Sequence, residues 1–254
     1  MLRTFAGGRL FGSLTGEATP RVLALHGWGR THHDFDAVLR PSGDTSTLDA
    51  IALDLPGFGA TPPPPEPWGS MQYAQSVAPV LDEMQQPVVV LAHSFGGRLA
   101  VHLAALRSEQ VGALVLTGVP LLRLGAPRQP ARAYRLVRSL HRLGLIGDDR
   151  MERARQRYGS ADYRAAQGIM RQVHGRQVAE TYEHQLDAIA CPVTMVWADD
   201  DATVPLAVAK AALTRLRDGK VGERAELVVC PGAGHLLPLT APDALRRAVE
   251  HHLT

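Results

Sequence analysis

Residues 88–97, Val-Val-Val-Leu-Ala-His-Ser-Phe-Gly-Gly, constrain this chain more than any other stretch. Residues 88–92 are apolar and mostly β-branched, the pattern of a strand buried on both faces. Residues 98–106, Arg-Leu-Ala-Val-His-Leu-Ala-Ala-Leu, have the composition of a helix packed into a core. Between the two, Ser94 stands at a sharp strand-to-helix turn that pushes its hydroxyl out of the backbone. Ala92 and Gly96, two before and two after it, are small because strand and helix backbones approach closely there. The backbone N–H that follows Ser94 lies at a helix N-terminus, a position that favours developing negative charge.

The rest of the chain repeats a strand-then-helix rhythm. Residues 2–14 alternate weakly around Gly7-Gly8, as an antiparallel hairpin at a sheet edge would. Strands are expected at 21–26, 48–54, 111–116, 193–197 and 225–229. Helices are expected at 31–39, 69–86 with Ser70 as N-cap, 206–216 and 242–252. Residues 61–67 hold five prolines and read as a stiff, polyproline-like loop beside a pocket. The rhythm breaks over 121–187, which carries thirteen arginines and no strand-like run. Helical periods there cover 131–143, 149–158 and 162–173. The organisation is therefore an α/β core from 1–120 and 188–254, with a largely parallel sheet covered on both faces, and a helical insertion at 121–187.

The 254 residues suffice for one such domain with its insertion. A net charge of +2 argues against nucleic acid and membrane as partners. Cys191 and Cys230 flank neighbouring strands at opposite ends, about 17–20 Å apart, which excludes a disulfide. Reduced thiols and the lack of an apolar leader run suit a cytoplasmic protein.

A serine hydroxyl needs a base, and the base needs an orienting carboxylate. In parallel sheets reactive groups gather at the carboxyl ends of strands. His235, just past the last strand in Gly-Ala-Gly-His-Leu, is placed to serve Ser94. The strand ending near Trp197 runs into Asp199-Asp200-Asp201. Asp201, four residues before Pro205, is the preferred acid and Asp199 the fallback, the other aspartates being solvated turn residues.

Taken together, His26-Gly-Trp-Gly29, Asp54-Leu-Pro-Gly-Phe-Gly59, His93-Ser-Phe-Gly-Gly97, Trp197 with Asp201 and Pro205, and Gly234-His235 followed by Ala241-Pro242 resemble the α/β-hydrolase fold family. The resemblance spans residues 21–250. It implies an eight-stranded, mostly parallel sheet with helices on both faces, and a helical lid over 121–187. It implies Ser94 as nucleophile, Asp201 as acid and His235 as base. It also implies an oxyanion hole from the backbone N–H groups of Trp28 and Phe95. The chain departs from the family with Ala92 and Ala198 at usual glycines, and with Thr240 where Glu is common, a change expected to loosen the loop holding His235. Ser94 speaks against the dehalogenases and epoxide hydrolases of this fold, whose nucleophile is Asp.

The expectation is a serine hydrolase of small to medium carboxylic esters, needing no metal or cofactor, with a substrate pocket formed by His26, Gly27, Trp28 and Phe95. A carbon–carbon bond hydrolase or lactonase would use the same triad, and a ligand-binding protein could keep the fold without turnover. His26 is expected to orient a loop and His93 to be structural. Arg98 is expected to pair with an acid at the core edge. His32-His33 lacks a third metal ligand. Arg132 or Arg135 of the insertion is the candidate to face an anionic substrate.

Overall fold

The computed structural model describes residues 2–43, 46–125 and 131–254. Eight strands form a single sheet in the order β1-β2-β4-β3-β5-β6-β7-β8. They are β1 (Leu2–Phe5), β2 (Leu10–Thr15), β3 (Val22–Leu25), β4 (Ala50–Asp54), β5 (Val88–His93), β6 (Val111–Thr117), β7 (Val193–Ala198) and β8 (Ala225–Cys230). β1 and β2 are antiparallel to their neighbours. From β4 across to β8 every pairing is parallel.

Every residue of β5 is buried. Val88, Val90 and Ala92 enter one core, and Val89 and Leu91 the other. The period of two explains why this strand reads as a continuous apolar run rather than an alternating one. One core is closed by α2 (Ser70–Val77), α3 (Phe95–Leu106), α8 (Glu183–Ala188) and α9 (Leu206–Asp218). The other is closed by α1 (Asp36–Leu39), α10 (Leu237–Thr240) and α11 (Pro242–His251).

The expected helix over 69–86 is two pieces. The α-helix ends at Val77 and a 3-10 helix runs over Ala78–Glu83. Pro79 lacks the N–H that would continue the α ladder, so the chain tightens there. Its N-cap is Gly69, whose N–H donates to Gln72 Oε1 at 2.9 Å. Ser70 is the first helical residue instead, and its hydroxyl is spent on Glu180 and Tyr182 of the insertion.

Between β6 and β7 the described residues hold α4 (Arg132–Arg142), α5 (Asp148–Tyr158), α6 (Ala161–Ala165), α7 (Gly168–Ala179) and α8. Residues 126–130 of the 121–187 segment lie outside the described residues. The helix expected over 162–173 is broken at Ala166, and Gly168 takes a φ of 50° at the restart. A left-handed glycine turns the chain where an L side chain would be strained. Cys191 and Cys230 are both free thiols.

Candidate active site

The strand order places the site. β3 lies beside β5 in parallel register, Leu25 opposite Ala92, while β4 leaves β3 on its other side. The loops leaving β3 and β5 therefore open onto one crevice at the carboxyl ends of the strands. Trp28 follows β3 by three residues, and Ser94 follows β5 directly. β7 and β8 are paired to their ends, Ala198 opposite Cys230. The loop carrying Asp201 therefore runs beside the loop carrying His235.

Ser94 is the N-cap of α3 with φ 47° and ψ −105°, a conformation rare for a residue with a Cβ. Its N–H is tied to the Thr117 carbonyl at 2.9 Å, and the Gly96 N–H donates to the His26 carbonyl at 3.0 Å. A Cβ on Gly96 would lie 2.1 Å from the Leu25 carbonyl oxygen, so the turn requires glycine there.

Ser94 Oγ is 3.2 Å from His235 Nε2, and His235 Nδ1 is 2.8 Å from Asp201 Oδ2. The second carboxylate oxygen of Asp201 accepts the Thr203 and Val204 N–H groups, both at 2.8 Å. Burial opposes ionisation of Asp201. The bond from His235 and those two amides outweigh it, so the carboxyl is held below its ordinary range. With Asp201 ionised, Nδ1 carries the proton and Nε2 presents its lone pair to Ser94.

The loop bearing His235 is held by more groups than the sequence suggested. Asp199 accepts the Gly232 N–H at 2.9 Å and Asp200 the Gly234 N–H at 2.7 Å. Neither aspartate is merely a solvated turn residue. Thr240 Oγ1 donates to the carbonyls of Ala233 at 2.7 Å and Leu236 at 3.1 Å, so the exchange of Glu for Thr leaves the loop tied down. His93 Nε2 donates to the His235 carbonyl at 3.0 Å. Burial, followed by the charge of His235, lowers the His93 pKa to about 4 and keeps the ring neutral.

The N–H groups of Trp28 and Phe95 have no hydrogen-bond partner among the described residues. Both residues, with Ser94, line a cavity of about 830 Å³. His174, Tyr163, Tyr158 and Tyr134 of the insertion complete its aromatic wall, and Asp162 joins its lining. Trp28 meets the Phe95 and His174 rings edge-on at 5.3 and 4.9 Å.

Three expectations about the pocket need correction. His26 and Gly27 are not among the described lining residues. His26 is fully buried, with Nδ1 donating to the Gly27 carbonyl at 2.7 Å and Nε2 accepting the Leu55 N–H at 3.0 Å. It pins the loop behind the wall, and burial lowers its pKa to about 4. Gly27 lies against His93, where a Cβ would come 2.7 Å from Nδ1. The start of α4 supplies Ala131 and Tyr134 to the cavity rather than Arg132 or Arg135. The proline-rich loop at 61–67, expected beside a pocket, is tied to that wall: its Pro67 carbonyl accepts from Arg176 of α7, the helix that carries His174. His32, read only as half of a metal pair, donates instead to Asp54 at 2.8 Å.

A family model described as the alpha/beta hydrolase family matches residues 22–248. The chain belongs to this family. A curated relative, an esterase of Mycobacterium tuberculosis, is 38% identical over 106 residues, 41% of this chain and 34% of the relative. The pimeloyl-[acyl-carrier protein] methyl ester esterase of Neisseria meningitidis serogroup C is 35% identical over 101 residues, 40% of this chain and 37% of the relative. The chain thus matches little more than a third of the length of these relatives. Among solved structures, a thermophilic esterase from Thermogutta terrifontis superposes with a TM-score of 0.68 and 20% identity, covering 100% of this chain and 97% of that one. At that identity the likeness shows that this alpha/beta hydrolase shares the fold.

Proposed function

We propose that this alpha/beta hydrolase cleaves carboxylic esters through an acyl-enzyme on Ser94. The reading rests on the hydrogen-bond chain Ser94–His235–Asp201 together with two amides that have no partner among the described residues. The relatives' names, esterase and methyl ester esterase, support an ester as the substrate.

Ser94 Oγ attacks the ester carbonyl carbon as His235 Nε2 takes its proton. The carbonyl oxygen becomes an oxyanion, and the Trp28 and Phe95 N–H groups stabilise it. One such donor is worth about 3 kcal/mol in the transition state. Collapse breaks the bond to the alcohol oxygen, which leaves with the proton from His235. Water then gives a proton to His235 and attacks the acyl-enzyme, releasing the acid and restoring Ser94. Asp201 stays ionised throughout and holds the imidazole in place. The helices between β6 and β7 act as a lid whose tyrosines and His174 keep the acyl chain out of water.

Hydrolysis of p-nitrophenyl esters from acetate to decanoate tests this reading. Turnover is expected, with an optimum at short to medium chains because the cavity is bounded by the aromatic wall. A folded protein that turns over none of the series contradicts it.

A further inference from the structure

Arg98 lies in the first turn of α3, four residues beyond Ser94, the N-cap of that helix. Helical side chains lean toward the N-terminus, the end of α3 at which Ser94 stands. It lines the same cavity as Ser94, and among the described lining residues it is the sole permanent cation.

The sequence suggests an ion pair for Arg98, and the structure shows none. Its Nη1 donates to the Gln177 carbonyl at 2.5 Å and to the Tyr182 hydroxyl at 3.1 Å. The guanidinium carbon stands 5.7 Å from the Tyr182 ring centre. These partners are neutral, and no carboxylate among the described residues is within ion-pair distance. Glu180, behind Tyr182, is already engaged by the Ser70 N–H, the Ser70 hydroxyl and the Tyr182 hydroxyl. Asp162 also lines the cavity, from α6, without reaching Arg98.

Among the described residues, the N–H groups left over on Arg98 are those of Nε and Nη2. That edge of a guanidinium matches the two oxygens of a carboxylate. The protein uses it so elsewhere. Arg30 holds Asp34 by Nε at 2.8 Å and Nη2 at 2.6 Å, and Arg215 holds Asp187 by Nε at 2.7 Å and Nη2 at 2.6 Å. His174 lines the same cavity, and burial, together with the Arg98 charge, lowers its pKa despite the opposing pull of Asp162. The ring is neutral and does not compete as a second cation.

We propose that Arg98 is a specificity residue that binds a terminal carboxylate on the acyl group, so that the preferred substrates are monoesters of short dicarboxylic acids. The inference rests on the ester-hydrolase reading above. The carboxylate sits in the Nε–Nη2 fork, the methylene chain lies along the aromatic wall, and the ester carbon reaches Ser94.

The test compares monomethyl adipate with methyl hexanoate, which has the same acyl length without the charge. Wild type, Arg98→Met and Arg98→Lys are assayed by acid release. Wild type is expected to favour the charged ester in kcat/KM by about tenfold or more, the worth of a charged hydrogen-bonded pair. Arg98→Met should lower that ratio by at least about tenfold, and Arg98→Lys by less, because it keeps the charge and loses the fork. Should Arg98→Met not fold, the ratio in Arg98→Lys carries the comparison, with a drop of about threefold expected. A wild-type preference for the neutral ester, or equal losses on both esters in the variants, overturns the proposal. If wild type hydrolyses neither these nor p-nitrophenyl esters, the hydrolase reading falls by itself. Calorimetric titration with monomethyl adipate then decides the subsite: binding that weakens in the Arg98 variants supports it, and binding that is absent or unchanged overturns it.

Discussion

Replacing Ser94 with alanine is expected to lower kcat on p-nitrophenyl butyrate by about 10,000-fold or more, with KM changed little. The substitution removes the hydroxyl oxygen that His235 Nε2 faces at 3.2 Å, while the carboxylate–imidazole pair at 2.8 Å and the Trp28 and Phe95 amides remain. What survives is the attack of water assisted by the oxyanion donors, a slower path because no acyl-enzyme forms. The backbone should not move, since the turn is fixed by the Ser94 and Gly96 N–H bonds rather than by the hydroxyl. Unchanged melting of the variant would confirm that the loss is chemical. A variant keeping a tenth of the wild-type rate would place the nucleophile elsewhere.

Stability is expected to fall by about 4 kcal/mol between pH 7.5 and pH 5.0, largely through two histidines that take no part in the Ser94–His235–Asp201 chain of hydrogen bonds. His26 and His93 are buried almost completely, and burial lowers both to about 4 from an ordinary 6.5. Below pH 6.5 the unfolded chain binds protons that the folded rings refuse. Stability is therefore full above 6.5 and drains away as the pH falls toward 4. Each ring contributes on the order of 2 kcal/mol of the loss at pH 5.0. His102, His174 and His252 are lowered in the same direction and add to the slope. Urea unfolding at the two pH values measures it, and His26→Gln should flatten the dependence by about half while costing stability at pH 7.5. A midpoint that does not move with pH would mean that the rings are charged or exposed in the folded protein.

The core of this molecule was legible because its information is local. The run at 88–92 reads as a strand buried on both faces, and β5 is one. The small residues around Ser94 imply a tight turn, and the Gly96 contact with Leu25 shows what the smallness is for. Ser94, Asp201 and His235 could be named from strand ends because the parallel sheet brings those ends together. What escaped the sequence depends on contacts between distant segments. Asp199 and Asp200 looked like turn residues because only the pairing of β7 with β8 puts the amides of Gly232 and Gly234 over them. Arg98 reads as an ion-pair partner at the core edge because its real neighbours, Gln177 and Tyr182, arrive from about 80 residues away. Ser70 had the composition of an N-cap, yet Glu180 and Tyr182 claim its hydroxyl. Thr240 carried no local sign that its hydroxyl would replace a carboxylate as the brace of the His235 loop.

The central claim is that Ser94 forms a covalent intermediate, and a fluorophosphonate probe tests it most directly. The probe mimics the tetrahedral stage and needs the nucleophile, the base and the amide donors together. After incubation with the folded protein, intact-mass and peptide analysis should show one adduct, carried by Ser94 in the 88–97 stretch and absent from Ser94→Ala. A folded protein that stays unlabelled, or that is labelled equally well in Ser94→Ala, would contradict the account.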